Sequence, residues 1–80
     1  MPYVDKEARF ELDNIRTAKN AGELNYMITK IVNAYLKESD FNYQRINDAL
    51  GALEGSKLEL YRRVAVPYEN AKISENGDVY

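Results

Sequence analysis

The amino-acid sequence predicts an all-α protein: a three-helix antiparallel hairpin or bundle with a long C-terminal helix that is ended or kinked at Pro67 and followed by a polar tail. Three observations carry that prediction. Apolar residues recur at spacings of three and four through three segments, the alternating pattern of a half-buried strand is missing, and turn signals at Ala21-Gly22 and Ser39-Asp40-Phe41-Asn42 separate the segments. At 80 residues the chain has room for one helical domain spanning 1–80, with residues 74–80 as its tail.

The first helix follows Pro2 with Asp5 as its N-cap and places Val4, Ala8, Leu12 and Ile15 on one face. Phe10 lies on the opposite side as an edge or subunit contact, and the helix is expected to run to Lys19 or Asn20 before Ala21-Gly22 breaks it. Glu23 to about Lys37 forms the second helix, where Leu24, Met27, Ile28, Ile31, Tyr35 and Leu36 make an apolar stripe that Val32 widens. Phe41 before Asn42 suggests an apolar residue packing at the entry of the next helix.

The third helix is expected from about Tyr43 to Val64 or Ala65, on Ile46, Ala49, Leu50, Leu53, Leu60, Tyr61 and Val64. Gly51 and Gly55 interrupt its middle at four-residue spacing, each costing about 0.5–1 kcal/mol relative to Ala, which points to close approach of another helix, with room for a bulky ring or ligand as the alternative. Pro67 cannot donate to the preceding turn, so it closes or kinks this helix, with a short restart over 68–73 that has Pro67 in its first turn. The remainder, Ser74 to Tyr80, is polar around Asn76-Gly77, and its final Val79 and Tyr80 point to docking.

Composition narrows the chemistry. The chain has no Cys and no His, which excludes disulfides, iron–sulfur clusters, thiolate zinc sites and cysteine nucleophiles, and takes away the usual neutral-pH acid–base group. Its serines lack an activating base, and Glu75, Asn76 and Asp78 do not follow calcium-loop spacing. No catalytic residue, metal site or cofactor is therefore expected, and the chain reads as not an enzyme. Eleven Lys and Arg against thirteen Asp and Glu leave no positive field for duplex nucleic acid. No apolar run approaches a membrane span, and the start, Met1 to Glu7, lacks the regions of a signal peptide, so a cytoplasmic protein without membrane contact is expected. A chain this short buries only about 60–65% of its unfolded surface, which leads us to expect a homo-oligomer.

Seven tyrosines and five arginines are the main recognition groups left. Several of them gather in the C-terminal third, where Tyr61, Arg62, Arg63, Tyr68 and Lys72 combine planar phosphate donors with stacking faces. The alternative is an ordinary surface, with Tyr61 in the core and the arginines paired to Glu54, Glu59 or Glu69. Asn25 and Tyr26, beside the free amides expected at the start of the second helix, form a second candidate anion site, although Glu23 opposes an anion there.

The stretches Gly22-Glu23-Leu24-Asn25-Tyr26, Lys57-Leu58-Glu59-Leu60-Tyr61-Arg62-Arg63-Val64-Ala65, Pro67-Tyr68-Glu69 and Glu75-Asn76-Gly77-Asp78-Val79-Tyr80 resemble a small uncharacterised family found in phages and bacteria. The resemblance covers essentially the whole chain and brings no assigned activity or residue roles. What it implies is a phage or mobile-element setting, hence the host cytoplasm. Two functions are expected from these readings. One is a non-enzymatic binder that sequesters a small anionic host signal, such as a cyclic nucleotide, at subunit interfaces as an anti-defence device. The other is an interaction module that docks on a host or phage protein through its helical surface or tail.

Overall fold

In the computed structural model, which describes residues 4–13 and 16–80, every regular element is helical. Pro2, expected to precede the first helix, and Ile15, assigned above to its face, lie outside the described residues. The elements in chain order are α1 (Lys6–Leu12), α2 (Ala21–Lys37), α3 (Tyr43–Leu60), a π-helical turn (Tyr61–Ala65) and α4 (Val66–Asn76). The protein is thus all-α with a long C-terminal helical stretch, and its backbone changes winding next to Pro67. Contacts cluster in two compact units, Tyr3–Leu50 and Gly51–Tyr80.

In the first unit the caps decide where helices begin. The Ala8 amide donates to Asp5 Oδ1 at 2.8 Å, so Asp5 caps α1 as its sequence position suggests. α1 ends at Leu12, well short of the expected Lys19 or Asn20. The start of α2 differs as well. Asn20 is extended (φ −155°, ψ 175°) and its Oδ1 accepts from the Glu23 amide at 2.9 Å, while Glu23 Oε1 accepts from the Lys19 amide at 3.0 Å. The Asn20 cap, with Glu23 bonding the amide one residue before it, starts α2 at Ala21 and leaves Ala21-Gly22 inside its first turn, where the sequence reading puts a break. Arg16 reaches the same Glu23 carboxylate at 2.9 Å and ties the connecting segment to the cap.

α2 ends at Lys37 and α3 begins at Tyr43, as the periodicity predicts. Between them one side chain organises the turn. Arg45 Nη2 and Nε donate to the Tyr35 carbonyl at 2.6 and 3.1 Å, in the last turn of α2, and its guanidinium lies 4.1 Å from the Tyr35 ring centroid. Nη2 also meets Glu38 Oε2 at 3.1 Å, and Nη1 meets Ser39 Oγ at 3.3 Å. The Tyr35 hydroxyl in turn donates to Asp48 Oδ2 at 3.3 Å, and Gln44 Nε2 donates to the other oxygen of that carboxylate at 2.8 Å. The α3 entry is capped by Asn42, whose Oδ1 accepts from the Arg45 amide at 3.0 Å. Phe41 does not pack down at this entry and stays 67% exposed.

Packing is sparse. Ala49 is the one buried hydrophobic residue among those described, while Leu24, Ile31, Leu50 and Leu53 of the predicted core faces remain 39–60% exposed. A Cβ added at Gly51 or Gly55 would meet nothing within 4 Å, so among the described residues no neighbour makes use of the small-residue stripe.

In the second unit, the π turn accounts for Pro67. Proline lacks an amide hydrogen, and in an α-helix its ring would press on the carbonyl four residues earlier, here that of Arg63. The Val66 amide instead reaches back five residues to the Tyr61 carbonyl, which widens the turn and starts α4 with Pro67 among its first two residues. The restart expected over 68–73 extends to Asn76, so the first three tail residues are helical. Gly77 stops the helix at φ +86°, a conformation that favours glycine, and its amide donates to the Ile73 carbonyl at 2.8 Å.

Two outcomes follow for stability. Replacing Arg45 with Ala removes a charge-assisted cap and a ring contact from a side chain only 16% exposed, and is expected to cost about 2 kcal/mol in urea denaturation, with Arg45→Lys recovering less than half. The double variant Gly51→Ala/Gly55→Ala should instead gain about 1–2 kcal/mol by the same measurement, because the added methyl groups meet open space.

Candidate functional site

The Tyr and Arg cluster falls in the second unit, spread along the end of α3, the π turn and α4. Glu59 sits one turn before the arginines and takes both: Arg62 Nη2 bonds Glu59 Oε1, and Arg63 Nε lies 3.4 Å from Glu59 Oε2. The two guanidiniums therefore share a carboxylate on their own helix, the surface pairing weighed as the alternative in the sequence. Lys57 pairs with Glu54 at 3.5 Å in the same local fashion. Tyr61, assigned to the core in that alternative, is 53% exposed.

The remaining two members, Tyr68 and Lys72, come together one turn apart on α4. The Lys72 ammonium lies 5.6 Å from the Tyr68 ring centroid, and its second contact is Glu75 Oε2 at 3.4 Å rather than Glu69. Gly77 turns the chain so that the last residues run beside these side chains. The result is an open groove of about 400 Å³ lined by Tyr68, Glu69, Lys72, Ile73 and the segment 77–80. Asp78 Oδ1 accepts from the Tyr80 amide at 2.9 Å and shapes this ending. The Val79 and Tyr80 side chains stay almost fully exposed and do not dock on their own helix.

The groove offers two aromatic faces and one ammonium beside the carboxylates of Glu69 and Asp78. That balance suits an aromatic, apolar or zwitterionic group better than a multiply charged anion, whose phosphates would meet two like charges.

Asn25 and Tyr26 belong to the first unit. Asn25 Oδ1 accepts from Thr29 Oγ1 at 3.3 Å, and Lys30 stands over the Tyr26 ring at 5.9 Å. The nearby helix start is already served, since Asn20 occupies the Glu23 amide and the Glu23 carboxylate points back over the cap. A second groove of about 330 Å³ opens next to it, between Leu12, Asp13, Arg16, Thr17 and Ala18 on one side and Leu24 and Met27 on the other. Sequence reading missed this groove, because it depends on α1 stopping at Leu12. Among the described residues no three carboxylates gather closely enough to hold a metal ion, and no helix is long and apolar enough to cross a membrane.

No curated protein and no solved structure matches the chain. A family model does, over residues 1–79, and its description is a domain of unknown function, in keeping with the uncharacterised family that the sequence resembles. The chain belongs to the DUF6899 family.

Proposed function

We propose that this chain is a non-enzymatic interaction module that engages a protein partner through the apolar and aromatic side chains of its C-terminal unit. The observation that carries this reading is the exposure there. No described residue of 51–80 is buried, and Leu60, Tyr61, Val64, Tyr68, Val79 and Tyr80 each leave more than half of their surface to solvent. Exposed apolar surface on this scale marks a site of association, and Tyr is among the side chains that dominate binding energy at protein interfaces. Lys57, Arg62, Arg63 and Lys72 each stand beside a carboxylate three or four residues away, so the exposed rings and apolar side chains make up much of the surface open to a partner.

A photo-crosslinking side chain placed at Tyr68 in the full chain, expressed in a bacterial host, tests this reading. One dominant protein adduct is expected, and the double substitution Tyr61→Arg/Val64→Arg should reduce it at least tenfold. An unchanged set of adducts in that variant would overturn the assignment.

A second reading rests on the stacked pair Tyr68–Lys72 at the groove beside the tail. A nucleobase on the Tyr68 ring with its phosphate on Lys72 gives a binder of a small anionic signal such as a cyclic nucleotide, shared between copies of the chain in an anti-defence role for a phage-encoded protein. In thermal-shift measurements against a panel of cyclic nucleotides, a true ligand at 100 times its dissociation constant stabilises by about 2.7 kcal/mol. The shift is expected to vanish in Tyr68→Ala and Lys72→Gln, and the absence of any shift across the panel excludes this reading.

A further inference from the structure

The end of α4 brings together two residues whose pairing has a chemistry of its own. Of the eight asparagines in the chain, Asn76 alone is followed by glycine, while the other seven precede Ala, Tyr, Asp or Ile. Asn76 is the last residue of α4, it is exposed, and its side-chain amide has no hydrogen-bond partner among the described residues. Gly77 carries no Cβ, so nothing on that residue screens its backbone nitrogen from the neighbouring Asn76 side chain. One hydrogen bond holds this nitrogen, to the Ile73 carbonyl at 2.8 Å, and residues 78–80 beyond it form no regular element.

From this placement we infer that Asn76 and Gly77 form a site of spontaneous covalent modification, at which Asn76 loses its side-chain amide and the chain gains a carboxylate at the end of α4. The Gly77 backbone nitrogen gives its proton to solvent and attacks Asn76 Cγ. A Cγ–N bond forms, the Cγ–Nδ2 bond breaks, and the leaving nitrogen takes up a proton and departs as ammonia. Water then opens the cyclic imide at either of its two carbonyl carbons. Opening at one restores the main chain with an aspartate at this position. Opening at the other leaves the main chain running through Cβ and Cγ, one carbon longer, as isoaspartate. One water is consumed and one ammonia released, with no oxidant, reductant or enzyme involved.

The fold sets the rate and the consequence. The bond from the Gly77 amide opposes the attack, but it is the last bond of α4, and helix ends open with free energies near zero. Asn70, in the interior of the same helix, has to wait for a wider opening. The new carboxylate stands between Glu75 and Asp78, at the negative end of the helix dipole, where it weakens the last turn. The longer main chain of isoaspartate also takes the Gly77 amide out of register with the Ile73 carbonyl, and with it the segment 77–80 that lines the groove beside Tyr68 and Lys72. Neither effect depends on what the C-terminal unit binds.

Incubation of the full chain at neutral pH and about 37 °C, followed by peptide mass spectrometry, tests this site. A gain of about 1 Da is expected at Asn76 at least about tenfold faster than at any other asparagine, with isoaspartate among the products, and Gly77→Ala should slow it about tenfold or more. The rate in the folded chain is expected to lie within about tenfold of that in urea, since only the final bond of α4 has to open. In converted chains, separated by their added charge, the NMR signals of Tyr68, Lys72 and residues 77–80 should shift while those of α2 stay in place. Asn76→Asp, which adds the charge without lengthening the main chain, should move the signals of 77–80 less than isoaspartate does. Conversion at Asn76 no faster than elsewhere, or more than about tenfold slower in the folded chain than in urea, overturns the site. Unchanged signals at 77–80 after conversion overturn its effect on the groove.

Discussion

The turn between α2 and α3 rests on the guanidinium of Arg45. Helices end with carbonyls that lack partners, and here the Tyr35 carbonyl is met twice by one planar cation that also covers the ring of the same residue. The arrangement joins three requirements that are usually met by separate groups: closure of a helix end, the path of the five connecting residues 38–42, and the placement of the Tyr35 hydroxyl on Asp48. With so little apolar surface buried in the first unit, a polar clamp of this kind sets the hairpin in place of a packed interior.

Sparse packing also explains why local bonds dominate everywhere else. Glu23 serves both as a cap and as the partner of Arg16, Glu59 gathers two arginines from its own helix, and Lys72 divides itself between a ring and a carboxylate within one turn. Exposed pairs of this sort contribute little individually, roughly 0–1 kcal/mol, so they hold side chains in place more than they hold the fold together. The apolar residues at helical spacing are present as the periodic pattern demands, but most of them keep a large part of their surface in solvent.

Features governed by nearest neighbours were legible in the sequence. Asp5 announces its helix because a cap needs only an acceptor three residues before an amide, and the end of α2 and the start of α3 follow from periodicity and turn chemistry. The end of α1 at Leu12 was not legible, because Leu12 to Lys19 shows no breaker. Arg45 gave no signal either, since its main acceptor lies ten residues earlier on another helix. For the candidate site, residue types pointed to the C-terminal third, yet only coordinates separate Arg62 and Arg63, spent on Glu59, from Tyr68 and Lys72 beside the groove.

The π turn before Pro67 has a consequence for how this surface can change over generations. Such a turn is the form a helix takes when it absorbs one additional residue without breaking, and every side chain beyond it is rotated by about 100° compared with an uninterrupted α-helix. Tyr68 and Lys72 owe their bearing relative to the preceding stretch of α3 to that single residue of winding. A one-codon deletion or insertion between Tyr61 and Val66 would therefore re-aim the whole α4 face while every amino acid on it stayed the same, a route to new binding preferences that substitution at the face itself does not offer.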